Sequence, residues 1–165
     1  MGFMAVGKST VGRLVADQLG LSFVDTDRLI ANMEGLTVEE IFDQKGEPYF
    51  RKLEHQVLSD VLRGEAAVVS TGGGLPCSDR SIRLISEKST SFTLLLGVSH
   101  IVNRLANDTS RPLARGLTKS QLRKMVKSKL QARQKYYNKA DYRLRATDSP
   151  DVIASRIIKK LKLHT

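Results

Sequence analysis

The sequence predicts an α/β fold, a parallel β-sheet covered by helices on both faces, and three observations carry that prediction. A glycine-flanked loop with a lysine and a serine opens directly into a helical pattern near the start of the chain. Short, continuous apolar runs that read as buried strands then alternate with longer segments of helical period. Two of those strands end in chemistry-bearing clusters, Asp25-Thr26-Asp27 and Thr71-Gly72-Gly73-Gly74, at the carboxyl ends where parallel sheets bind ligands.

The 165 residues suffice for one full hydrophobic core and are short for two, so a single domain over 1–165 is expected. The 41% hydrophobic and 27% charged fractions are those of a soluble globular protein, and no apolar run approaches the roughly 20 residues of a membrane span. The chain enters the glycine loop at once, without a signal peptide, and Cys77 stands alone, so no intrachain disulfide is expected and the cytoplasm is the simplest location. A formal net charge of +10 suits anionic ligands. Only 5% of residues are aromatic and no basic run is interleaved with them, which argues against a nucleic-acid partner. Lys159, Lys160 and Lys162 read as a solvated helix end whose cations complement the helix dipole. His55, His100 and His164 are scattered without metal-ligand spacing. The chain is expected to act as a monomer on a small molecule, away from membranes.

Gly2-Phe3-Met4-Ala5-Val6-Gly7-Lys8-Ser9, followed by Thr10, fits G-x-x-x-x-G-K-[ST], the pattern of phosphate-cradling P-loops. Small residues at its ends let successive backbone N–H groups turn inward around a phosphate. Lys8 supplies a point charge for the γ-phosphate, and the Ser9 hydroxyl is placed to ligate Mg²⁺. Val11, Leu14, Val15 and Leu19 recur at three- and four-residue steps, so a helix runs from Ser9 to Leu19, ends at Gly20 and points its N-terminus at the phosphates. Leu21 to Val24 reads as a buried strand that delivers Asp25 and Asp27. Two carboxylates at i, i+2 either divide labour, one facing the metal near Ser9 and the other an acceptor hydroxyl, or cap the following helix.

Thr37 with Glu40 makes a capping box, and Leu36 against Ile41 a hydrophobic staple, so a helix starts there. It stops near Gly46, and Glu47-Pro48 restarts another with proline at the first position. Arg51 and Glu54 share a face of that second helix. They form either a surface ion pair or a carboxylate that orients an arginine for a bidentate grip on a substrate carboxylate. Ala66 to Ser70 is another buried strand, and the three glycines beyond it suit either close backbone approach to a ligand or a flexible turn. Cys77 reads as a packing residue. A short helix over 78–86, a strand over 92–96 and a helix over 99–106 lead to a polar stretch with Arg111, Pro112 and Arg115, which reads as a lid over 107–117 that excludes water. Thr118 with Gln121 caps a long helix to about Lys139 that carries Arg133. Tyr142 to Ala146 is a last strand, and Ser149-Pro150 opens the terminal helix. The helical region 32–63 is expected to bind the acceptor, with the lid closing over it.

Taken in order, these motifs resemble those of the shikimate kinases, and the resemblance covers nearly the whole chain. GFMAVGKST is similar to the family's usual GFMGAGKST, and Phe23-x-Asp25-x-Asp27 looks like its F-x-D-x-D motif. Gly46-Glu47-x-x-Phe50-Arg51-x-x-Glu54, Gly72-Gly73-Gly74 and Arg111-Pro112-Leu113 match as well. The resemblance implies a P-loop, three-layer fold of the nucleoside monophosphate kinase type with a five-stranded parallel sheet. It implies transfer of the γ-phosphoryl group of ATP to the 3-hydroxyl of shikimate, on the way to chorismate and the aromatic amino acids. A nucleotide site of Ala5, Val6, Gly7, Lys8, Ser9 and Thr10 is implied too, with Arg104 stacking on adenine and the residues around Thr147 to Pro150 completing the base pocket. Ser9 and Asp25 would serve Mg²⁺, Asp27 would hold the acceptor hydroxyl as candidate base, and Lys8 and Arg111 would reach the transferred phosphate. Arg51 and Arg133 would bind the shikimate carboxylate, with Gly73 contributing a backbone N–H, and Val38, Phe42 and Phe50 would line the acceptor site or the core.

Two departures stand out. Ala5 occupies a position where the family usually has glycine, which puts a β-carbon inside the phosphate loop and implies weaker nucleotide binding. In the family several apolar residues precede the loop as the first and central strand, whereas here only Met1 does. An upstream start is therefore expected, since a sheet without that strand leaves neighbouring backbone groups unpaired. A kinase for gluconate or a nucleoside monophosphate, and a nucleotide-binding regulator without turnover, are the competing readings. Asp27 with Arg51 and the triple glycine favour shikimate, and the full set of Lys8, Ser9, Asp25, Asp27 and Arg111 favours turnover.

Overall fold

The computed structural model describes residues 1–107 and 116–162. Arg111 and most of the candidate lid lie outside the described residues. In chain order the elements are α1 (Lys8–Leu19), β1 (Ser22–Asp25), α2 (Thr26–Glu34), α3 (Val38–Val61), β2 (Ala67–Ser70), α4 (Asp79–Lys88), β3 (Phe92–Leu95), α5 (Val98–Ala106), α6 (Lys119–Tyr137), β4 (Tyr142–Arg145) and α7 (Pro150–Leu161).

Local chemistry accounts for their ends. Gly7 enters α1 at φ 100° and Gly20 closes it at φ 64°, both left-handed conformations that suit glycine. Thr37 and Glu40 form a complete capping box at the start of α3, as do Thr118 and Gln121 at the start of α6. Within α3 the backbone breaks at Gly46 (φ 79°, ψ 166°), two residues before Pro48, so the predicted stop and restart are present inside one long element. Across that break, Glu34 at the end of α2 holds Lys45 at 2.5 Å and Tyr49 at 3.1 Å, fixing α2 against both halves of α3. Pro150 opens α7 at its first turn, where a missing N–H costs nothing.

The strands pair in two parallel sets. Ser22 to Asp25 lie in register with Ala67 to Ser70, and Phe92 to Leu95 with Tyr142 to Arg145. Between the two pairs the chain contributes only its first residues. Gly2 bridges Leu94, the Met1 amino group donates to the Phe92 carbonyl at 2.6 Å, and the Leu94 N–H donates to the Met1 carbonyl at 2.9 Å. That alternation is one step of a parallel ladder. A cavity of about 400 Å³ lies between the pairs, with Val68, Val69, Phe92 and Leu94 on its walls.

The largest apolar core joins Val11 and Val15 of α1, Leu94 and Leu144 of the second strand pair, and buried residues of α5, α6 and α7. Ile30, Ile41, Phe50, Leu53 and Val57 form a separate core between α2 and α3, within the region expected to bind the acceptor. A third cluster, Leu58, Leu75 and Ile85, joins α3 and α4 beside Met1. No helix among the described residues is long and apolar enough to cross a membrane.

Candidate active site

The phosphate loop runs from Gly2 into the N-terminus of α1, where unpaired backbone N–H groups and the helix dipole favour an anion. Lys8 folds back over the loop and donates from Nζ to the Phe3 carbonyl at 2.9 Å. Ala5 sits at φ 61°, the one left-handed non-glycine among the described residues. Its β-carbon is thus accommodated at the cost of strain in a conformation where an L side chain loses about 1–2 kcal/mol. Arg104 of α5 donates to the Ala5 carbonyl at 3.0 Å, which brings this arginine to the rim of the loop. Val6 turns inward and is buried in the core beneath it.

The strand ends deliver the acids. Asp25 closes β1, and one of its oxygens caps α2 by accepting from the N–H groups of Asp27 and Arg28 at 3.2 and 3.4 Å. Its other oxygen accepts from the Ser9 hydroxyl at 2.6 Å. The capping reading of this residue is thus present, and its second oxygen is turned to Ser9. Ser70, at the end of β2, lies 3.3 Å from the Ser9 hydroxyl and joins the same group. Asp27 stands in the first turn of α2 and lines a cleft of about 490 Å³ together with Ala5, Gly7, Lys8, Ser9, Thr10, Asp25 and Gly73. Val38 also reaches that cleft, whereas Phe50 is core.

The triple glycine is pinned from several sides. The Gly72 N–H donates to the buried Thr26 hydroxyl at 2.9 Å. The Gly73 carbonyl accepts from Tyr137 Oη at 2.6 Å and from Arg133 NH1 at 3.1 Å, with the Cys77 thiol at 3.6 Å. A β-carbon on Gly72 would lie 3.0 Å from Glu54 Oε1 and closer still to the Asp27 carboxylate, and one on Gly74 would collide with the Arg51 guanidinium. The groups that approach these two glycines are side chains of the protein itself, Asp27 and Glu54 at Gly72 and Arg51 at Gly74. Arg51 and Arg133 are thereby brought to adjacent glycines of one turn.

Arg51 is bound by two carboxylates. Its NH1 donates to Glu54 at 2.5 Å, and its Nε and NH2 donate to Glu47 Oε1 at 3.0 and 2.7 Å. Burial works against the charge on Arg51, but Glu54 and Glu47 outweigh it and hold its pKa above the ordinary value. Burial pushes the Glu54 carboxyl up, with Arg51 opposing and Asp27 adding to the rise. Burial likewise raises the Cys77 thiol, in keeping with a packing role. Thr147 stands exposed after β4, outside the residues lining the cleft. Sequence reasoning missed Glu47, Thr26, Ser70 and Tyr137 as parts of the site. The i, i+4 spacing of Glu47 and Arg51 was a usable signal, whereas Tyr137 meets Gly73 only through tertiary packing.

A family model described as shikimate kinase matches residues 4–162. The chain is 37% identical over 163 residues to a shikimate kinase from Sulfurihydrogenibium sp. (strain YO3AOP1), covering 98% of this chain and 95% of that protein. The crystal structure of shikimate kinase from Bacteroides thetaiotaomicron superposes with a TM-score of 0.93 at 29% identity, covering 98% of this chain and 96% of that one. The structure of shikimate kinase from Acinetobacter baumannii in complex with shikimate superposes with a TM-score of 0.89 at 28% identity, covering 99% and 91%.

Ala5→Gly should relieve the left-handed strain. The gain of about 1–2 kcal/mol is partly offset by the about 0.4–1 kcal/mol that glycine adds to unfolded-chain entropy, leaving roughly 1 kcal/mol of stabilisation in urea denaturation. The Michaelis constant for ATP should fall in the same variant, and an unchanged urea midpoint would show that the loop is not strained.

Proposed function

The chain belongs to the shikimate kinase family, and on that premise we propose that it transfers the γ-phosphoryl group of ATP to the 3-hydroxyl of shikimate, giving 3-phosphoshikimate and ADP. The observation that carries the reading is a single arrangement. Lys8, Ser9, Asp25, Asp27 and Gly73 line one cleft, and Arg51 and Arg133 lie against Gly74 and Gly73 of its glycine turn. One end of that arrangement suits a polyphosphate and the other a hydroxylated carboxylate.

In the proposed mechanism the phosphate loop and the α1 N-terminus hold the ATP phosphates, and Lys8 leaves the Phe3 carbonyl to follow the γ-phosphate. Arg51 and Arg133 hold the shikimate carboxylate and so fix the 3-hydroxyl of the ring in line with the phosphorus. Asp27 accepts the hydroxyl proton as the oxygen forms its bond to phosphorus, and the bond to ADP breaks with its electron pair leaving on ADP. Gly73 is assigned an N–H contact to the reactants, and Arg111, which lies outside the described residues, a contact to the phosphates. Arg104 and Thr147 are assigned to the base pocket, a role favoured for Arg104 by its place against the phosphate loop.

Ser9 and Asp25 would hold Mg²⁺. Two hard oxygen donors 2.6 Å apart beside a phosphate loop suit an ion that takes its other ligands from phosphates and water. When bound, the ion would neutralise charge on the β- and γ-phosphates. The helical region 32–63 is proposed as the acceptor-binding part of one domain, and a cytoplasmic monomer without a nucleic-acid partner completes the reading.

A coupled ADP-release assay tests the roles. Asp27→Asn should lower kcat for shikimate by about 100-fold or more, the range of a lost general base. Arg51→Lys, lacking the planar fork, should raise the shikimate KM by roughly tenfold and leave the ATP KM near the parent value. Parallel loss of both affinities would reject the assignment of Arg51.

A further inference from the structure

Arg51 is the cation that the proposed reading gives to the acceptor's carboxylate, yet Glu47 already holds it. Glu47 Oε1 takes both the Nε and NH2 protons, at 3.0 and 2.7 Å, which is the side edge of the guanidinium fork used for bidentate carboxylate recognition. Glu54 takes a proton of NH1, so one guanidinium faces two carboxylates. The two acids differ in what leaving would cost. The Glu54 side chain is 4% exposed, and withdrawing its partner would strand a charge in the interior. The Glu47 side chain is 62% exposed and can turn into water without that penalty.

The backbone suits such a movement. Glu47 directly follows the Gly46 break and precedes Pro48, at the open end of the second half of α3. The field around it is positive as well, because Arg51 first, and then Lys129 and Arg133, hold the Glu47 carboxyl below its ordinary pKa. That field is the one an arriving anion needs.

We propose that Glu47 is a resident competitor for the acceptor's carboxylate, a positioning residue that keeps Arg51 paired between turnovers and sets the affinity for the anionic acceptor. The proposal rests on the reading of Arg51 as the carboxylate-binding residue. On binding, the acceptor carboxylate takes the Nε/NH2 edge, Glu47 turns outward and Glu54 stays. The affinity observed for shikimate is then the intrinsic one reduced by the Glu47–Arg51 contact.

Glu47→Gln keeps the length and one acceptor oxygen while removing the charge. Its shikimate KM should fall by about twofold to fivefold, the range of a partly exposed ion pair, with kcat and the ATP KM near parental values. The Kd for shikimate from calorimetry should fall alike. Damage to the fold does not tighten a site, so the direction separates this role from a structural one. An unchanged or raised shikimate KM would overturn the proposal and leave Glu47 as a residue that merely orients Arg51. Arg51→Lys assayed beside it separates the two ideas. If that variant leaves the shikimate KM unaltered, the reading of Arg51 fails and takes this proposal with it. If it raises KM while Glu47→Gln does not lower it, the competitor role alone fails.

Discussion

The cleft exists because two side chains are missing from one turn. At Gly72 and Gly74 the space that a β-carbon would fill is occupied by the Asp27 carboxylate and the Arg51 guanidinium. An acid from the first turn of α2 and a base from α3 can therefore meet the end of β2 at van der Waals distance. With any larger residue the carboxylate and the cation would be forced apart, and the acceptor end would lose its two poles at once. The turn is not loose for lacking side chains. Thr26 of α2 and Tyr137 and Arg133 of α6 hold its peptide groups from two helices, so its freedom is spent on proximity and not on motion.

Charge in the site is organised along the same axis. Beside the phosphate loop, Asp25 satisfies the start of α2 with one oxygen and the Ser9 hydroxyl with the other, so a structural cap and a contact to the loop share one carboxylate. At the acceptor end, burial decides which acid is permanent. Glu54 stays beside Arg51 because its surroundings exclude water, and its raised pKa records that cost. The net charge of +10 is thus less informative than its local distribution, since the functional cations are the few that side chains and backbone hold in place.

Much of this was legible in the chain. The phosphate loop, the strand-end acids and the triple glycine each carry a spacing that only a few backbone geometries satisfy, and the capping boxes at Thr37 and Thr118 mark their helices without ambiguity. The break at Gly46 was readable because glycine and proline fall two residues apart. What could not be read was anything decided by packing between distant segments. Tyr137 looks like an ordinary core aromatic until α6 lies across the glycine turn, and the Thr26 hydroxyl finds its partner 46 residues away. The cap and the Ser9 contact of Asp25 fall on separate oxygens, a division that residue spacing does not carry.

The divided sheet has a thermal consequence. Val68, Val69 and Phe92 face the space between the strand pairs and remain only partly buried, where a continuous sheet would cover them from both sides. Heat capacity change on unfolding scales with the apolar surface newly exposed to water, so surface that is already accessible contributes little. Any segment that fills this space would bury Val68, Val69 and Phe92 and raise the heat-capacity change of unfolding.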